Sequence, residues 1–124
     1  MVVGGTPGAL PVELVPVAER IVAALQKEAE RYTATGTAPK IELQAVQFTQ
    51  VTDPSNQLPG YHGIWRNARN ERCGTLAFNS DGSFYAEFDV FCQHPSDSRW
   101  FVEMVTAWGR DGAVRCEATL QPCM

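Results

Sequence analysis

The stretch that decides the fold is Leu76-Ala77-Phe78-Asn79-Ser80-Asp81-Gly82-Ser83-Phe84-Tyr85-Ala86-Glu87-Phe88-Asp89. Apolar residues alternate with others on both sides of a short polar run, the period of two that marks half-buried strands. Asn79 to Gly82 fits a type I turn, with Gly82 in the left-handed conformation that closes a three-residue hairpin loop. With Asn79 opposite Ser83, Phe78 faces Phe84, Leu76 faces Ala86 and Gly74 faces Phe88, so both apolar rows share one side. A two-residue loop shifts pairing by one and puts Leu76 and Phe78 on the same side as Tyr85, Glu87 and Asp89. Burying a large apolar side chain contributes about 1.5–3 kcal/mol, which selects the three-residue loop.

Working outward, Arg69-Asn70-Glu71-Arg72 reads as the turn between a strand over residues 61–68 and one over 73–79. With Ala68 opposite Cys73, Arg66 faces Thr75, Ile64 faces Ala77 and His62 faces Asn79. A strand over 83–92 follows the Gly82 turn. Beyond Pro95, Ser96 or Asp97 is placed to cap a helix running to Trp108, with Trp100, Phe101, Met104, Val105 and Trp108 as its buried stripe and Gly109 as its stop. Asp111-Gly112 then turns the chain into a last strand over 113–120, where Val114, Cys116, Ala118 and Leu120 alternate with Arg115, Glu117 and Thr119.

On the N-terminal side, Leu14, Val17, Ile21, Leu25, Ala29 and Tyr32 recur at helical spacing. They predict a helix over 12–33, starting as late as Val15 because Pro16 is tolerated only in a first turn. Gly36 and Pro39 follow it. A strand over 41–51 alternates until Ala45 and then changes phase, through a bulge there or through cover on both faces. Residues 53–60 form a loop.

The expected architecture is α+β: a two-layer sandwich of order α-β-β-β-β-α-β, with a mainly antiparallel five-stranded sheet and two helices on one face. A right-handed crossover through the second helix gives strand order 5-1-2-3-4, with strand five beside strand four as the alternative. At 124 residues the chain is read as a flexible tail over 1–10 and one domain over 11–124, large enough for a core without staples.

Composition narrows the function classes. Hydrophobic residues make up 44% and charged residues 19%, as in an ordinary globular protein. The net charge of −4 disfavours nucleic acid and anionic membrane and suits a basic partner. No run approaches the ~20 apolar residues of a membrane helix. The first eight residues have neither the basic region nor the apolar stretch of a secretory signal. None of the four cysteines lies in a CxxC pair, and Cys73 and Cys92 fall on opposite sides of the sheet. The expectation is a cytoplasmic protein with reduced thiols.

No residue earns a catalytic or metal role, and no cofactor is implied. Glu87 and Asp89 point the same way, but nothing nearby supplies the cleft that acid–base work requires. Cys92, His94 and His62 fall short of a zinc pattern, and His94 reads as a satisfied loop histidine. Residues 4–8 lack the GK[ST] of a phosphate loop. Arg66, Arg69 and Arg72 read as a solvated turn. The candidate site is instead the sheet face away from the helices, displaying His62, Arg66, Tyr85, Glu87, Asp89 and Phe91, with Arg66 near Glu87. Aromatic groups beside charges are typical of protein recognition. The competing reading is an ordinary solvated face.

Thr75 to Asp89, with the segment from Pro95 to Trp108, resembles the YezG-like bacterial immunity proteins, in about a third of the chain. The shared features are an N-terminal helix, a meander, a Ser-Asp-Gly hairpin, an acidic-aromatic strand, and a short helix beginning near a proline. The chain departs from that family where Val90 and Phe91, rather than a further aromatic-acidic pair, follow Asp89. The resemblance implies a protein that binds and blocks a secreted toxin, a basic toxin domain being the partner that suits the charge. Two other readings stand beside it. One is a small-molecule-binding or enzymatic domain with a pocket between helices and sheet. The other is a homodimer through an exposed edge strand.

Overall fold

In a computed structural model, which describes residues 6–7 and 10–123, Ala18, Ile21, Leu25 and Ala29 are fully buried along one stripe of a single helix, α1 (Val15–Arg31). Pro16 lies in its first turn, where its missing N–H costs nothing. The helix stops short of the expected Thr33. The Thr33 hydroxyl instead donates to the Ala29 carbonyl (2.9 Å), satisfying one of the last free acceptors, and the left-handed Gly36 lies in the loop beyond.

The strands are β1 (Thr6–Pro7), β2 (Gln47–Thr52), β3 (Pro59–Arg66), β4 (Arg72–Phe78), β5 (Ser83–Gln93), β6 (Trp100–Arg110) and β7 (Ala113–Pro122). They form one antiparallel sheet in sequential order, six long strands with the two-residue β1 added beside β2. The fold is α+β, as expected, but with one helix. The segment expected as a second helix is β6, and the expected orders 5-1-2-3-4 and its alternative give way to an unbroken meander. Of the expected tail over 1–10, residues 1–5, 8 and 9 lie outside the described residues.

The Asp111-Gly112 turn explains why β6 is a strand. Both residues have positive φ (53° and 87°), and Arg110 pairs with Ala113. That is a two-residue type I′ turn, whose twist joins two strands rather than a helix and a strand. Trp100, Phe101, Met104, Val105 and Trp108 fit helical spacing equally well, but Val102, Val105 and Thr106 are β-branched and β6 pairs along its length with both β5 and β7.

The Gly82 hairpin has the expected register: Phe78 opposite Phe84, Leu76 opposite Ala86, Gly74 opposite Phe88. Gly82 has φ +90°, and the Asn79 N–H donates to the Ser83 carbonyl (2.9 Å). The β3–β4 hairpin repeats the same closure from Asn67: its N–H donates to the Glu71 carbonyl (2.9 Å), with Asn70 at φ 63° in the place of Gly82. A bulge between Trp65 and Arg66 then sets Ile64 opposite Thr75 and His62 opposite Ala77. The expected pairing is thus displaced by two residues. An even displacement leaves every side chain on its expected face.

Trp65, Leu76, Phe78, Phe84, Ala86, Phe88, Val105 and Ala107 project from one face into the core. α1 covers this face over β5, β6 and β7. Over β3 and β4 the cover is the segment entering β2. Residues 41–45, expected as strand, instead bury Ile41 and wind Leu43–Ala45 into a 3₁₀ turn, which accounts for the phase change at Ala45. The Trp65 indole donates to the Glu42 carbonyl (2.9 Å), and Gln26 of α1 clamps the segment through the Pro39 carbonyl and the Ile41 N–H.

Candidate interaction face

Among the described residues nothing covers the other face of the sheet. Pairing lays its side chains in rows. One row runs Thr49, His62, Ala77, Tyr85, Trp108, Arg115. The next runs Gln47, Ile64, Thr75, Glu87, Thr106, Glu117. A third brings Asp89, Met104 and Thr119 together. Sequence reasoning missed Trp108, Met104, Arg115 and Glu117 as members of this face. The first two had been placed in a helix, and the others belonged to a strand whose position depended on that helix. The available signal was the Asp111-Gly112 hairpin pair, preceded by the β-branched Val102, Val105 and Thr106.

Three of the six predicted site residues gather at its centre and His62 lies in the same row as Tyr85. Tyr85 is 44% exposed, and its hydroxyl donates to Glu87 Oε2 (3.3 Å). Burial pushes the Tyr85 phenol up, helped by the Glu87 and Glu117 carboxylates. Asp89 is held above the usual carboxylate range, first by burial and then by Glu87 and Glu103, with Arg72 pulling the other way. Four carboxylates therefore share a patch that also holds Tyr85, Trp108 and Met104.

Arg66 and Phe91 are not at that centre. Arg66 ends β3 opposite Arg72 and donates to the Asn70 carbonyl (3.1 Å), so the expected approach to Glu87 is not made. Phe91 lies in a bulge between Asp89 and Cys92 and has φ 49°, a conformation uncommon for a bulky side chain. It is 58% exposed and stacks on Phe101, with ring centroids 6.3 Å apart. Together they form an aromatic outpost at the end of β5.

Cys92, His94 and Asp97 have structural partners. Cys92 turns to the helix side, its thiol against the Tyr32 carbonyl (3.5 Å). His94 Nδ1 accepts from the N–H groups of Ser96 (3.1 Å) and Asp97 (3.2 Å), and its ring meets Tyr32 edge-on. Asp97, expected as a helix cap, instead holds the β5–β6 loop through the Arg99 guanidinium (2.9 and 2.8 Å), which lowers its carboxyl to about 2. All four cysteines are free thiols, Cys123 exposed and the others half-buried. No described group of three or more His, Cys, Asp or Glu side chains could hold a metal ion, and no described helix is long and apolar enough to cross a membrane.

A cleft of about 360 Å³ opens between the first turns of α1 and the sheet, lined by Leu14, Val17, Tyr61, Phe78, Phe84 and the rim residue Arg20 among others. Neither histidine reaches it. Arg20 already donates to the Gly112 carbonyl (3.1 Å).

No protein-family model matches the chain, and no curated protein or solved structure matches it either.

Proposed function

We propose that the protein is a non-catalytic protein-binding domain, of the immunity type that its central hairpin resembles, and that it neutralises a basic toxin domain by docking it on the open sheet face. One observation carries this reading: the acids Glu87, Asp89, Glu103 and Glu117 crowd beside Tyr85 and Trp108 on a face that no described element covers. Burial and the neighbouring Glu87 and Glu103 disfavour the Asp89 carboxylate in the free protein. A cationic partner stabilises that carboxylate on binding, and Tyr and Trp supply rigid apolar contact at low entropic cost. On this reading the protein acts in a bacterial cytoplasm and needs no cofactor. The cleft beside α1 is weaker ground for a ligand site, since its one guanidinium is already engaged.

The test is calorimetry against a toxin domain encoded beside this gene, with circular dichroism to monitor the fold. Glu87→Lys and Tyr85→Ala are each expected to weaken binding by about tenfold or more while leaving the fold intact, as for groups at the centre of an interface. Unchanged affinity in both variants rejects this face as the docking surface.

A further inference from the structure

β7 is an edge strand of ten residues, hydrogen-bonded to β6 on one side and, among the described residues, to nothing on the other. Exposed edges invite pairing with another chain, and proteins usually blunt them with lysine, proline or a bulge. β7 carries no lysine, its only proline is its last residue, and the bulge of this hairpin lies in β6 at Glu103. Among the described residues the edge is open, and its sequence can pair with itself.

The hydrogen-bond phase of the edge follows from the type I′ turn. That turn makes Arg110 and Ala113 a hydrogen-bonded pair, so Ala113, Arg115 and Glu117 direct their N–H and C=O groups toward β6. The Glu117 carbonyl accepts from the Thr106 hydroxyl of β6 (3.4 Å), in agreement. Val114, Cys116 and Ala118 therefore direct theirs outward. An antiparallel second β7 can bond only in registers that set these outward residues opposite one another.

Charge selects among those registers. With Cys116 on the two-fold axis, Val114 meets Ala118 of the second copy in a hydrogen-bonded pair. Arg115 then meets Glu117, twice by symmetry, in non-hydrogen-bonded pairs where side chains lie closest. A shift by two residues one way sets Arg115 against itself, and the other way sets Glu117 against itself. Both residues are exposed, and neither makes an ion pair within the described chain. The half-buried flank of Val114 and Ala118 gains cover in the same step.

We propose that a second copy of this chain is the partner of the β7 edge, in an isologous antiparallel dimer centred on Cys116 and held in register by reciprocal Arg115–Glu117 pairs. The dimer makes one continuous sheet with both helices on the same side. The two open faces become contiguous, with Glu117 of the acidic patch engaged by Arg115 of the second copy, and the dimer forms without a ligand on that face.

Light scattering on the full chain across a concentration series tests this. The expected mass at high concentration is twice 13.6 kDa. Either Arg115→Glu or Glu117→Arg sets like charges together at both pairs and raises the dimer dissociation constant about tenfold or more. The double reversal restores it. Ala118→Pro removes an outward N–H without touching the ladder to β6 and is expected to give a folded monomer. A monomer at every concentration overturns the proposal. So does a dimer indifferent to the single reversals, or one that the double reversal fails to restore. If Ala118→Pro does not fold, the surface charge reversals decide alone.

Discussion

Two faces of one sheet, built from the same strands and one residue out of phase, differ in almost every physical respect. The helix side carries Leu76, Phe78, Phe84, Ala86 and Phe88, all under 8% exposed, with no charge among them. The opposite side carries Thr75, Ala77, Tyr85, Glu87 and Asp89, where one aromatic ring stands open and one carboxyl titrates above its ordinary range. The first face supplies stability, because removing apolar area from water is the main favourable contribution to folding. The second retains repulsion and exposed aromatic surface that folding alone has no use for. Side chains on the helix face should therefore be costly to change, and those on the open face nearly free for folding.

The largest effect is expected at Leu76, which is fully buried opposite Ala86 on the core face of the sheet. Leu76→Ala should cost about 2–5 kcal/mol in urea denaturation, through lost transfer energy and the cavity left behind. A loss below about 1 kcal/mol would mean that the two faces are not energetically distinct. Next comes Trp65, 2% exposed, edge-on to Phe88 (5.4 Å between centroids) and bonded through its indole to Glu42. Trp65→Phe keeps an aromatic ring but leaves the Glu42 carbonyl without this donor. About 1–2 kcal/mol should be lost, with faster amide exchange at Ile41, whose N–H bonds to Gln26 in the same segment. Unchanged exchange there would show that the segment is held by Gln26 alone.

The same contrast explains how much of the molecule was legible in its sequence. The β4–β5 register was readable because a single glycine fixed the turn and a slip would have exposed Leu76 and Phe78. The membership of Tyr85, Glu87 and Asp89 in one face followed directly. The β3–β4 register was not, because Asn70 takes the left-handed place that glycine marks elsewhere, and a bulge follows it. The faces survived that error because the displacement was even. β6 was misread because an apolar stripe at positions 100, 101, 104, 105 and 108 satisfies a helical period, and the strand pairing that overrides the period is non-local. Its partners β5 and β7 lie on either side, and pairing with β5 is what sets Trp108 beside Tyr85. The part of the open face that β6 and β7 supply was hidden for the same reason.

The smallest effect, and the sharpest test of the open face, is at Asp89. Its carboxyl pKa is raised in the folded state by burial and by Glu87 and Glu103. Between the unfolded and folded values, the folded protein binds more protons than the unfolded chain. Stability therefore falls as pH rises through that window, and the loss persists at neutral pH. Asp89→Asn removes the titration. At neutral pH it should leave stability unchanged or raise it, within the roughly 0.5 kcal/mol typical of surface substitutions. Its stability should also lose the part of the pH dependence that lies just above the ordinary aspartate range. Denaturation midpoints of both proteins, compared from pH 3 to pH 7, read this directly. A variant less stable than the parent at pH 7 would mean that Asp89 makes a favourable contact as an anion, with Arg72 outweighing Glu87 and Glu103. The open face would then be an internally balanced surface, with no uncompensated charge to offer a cationic partner.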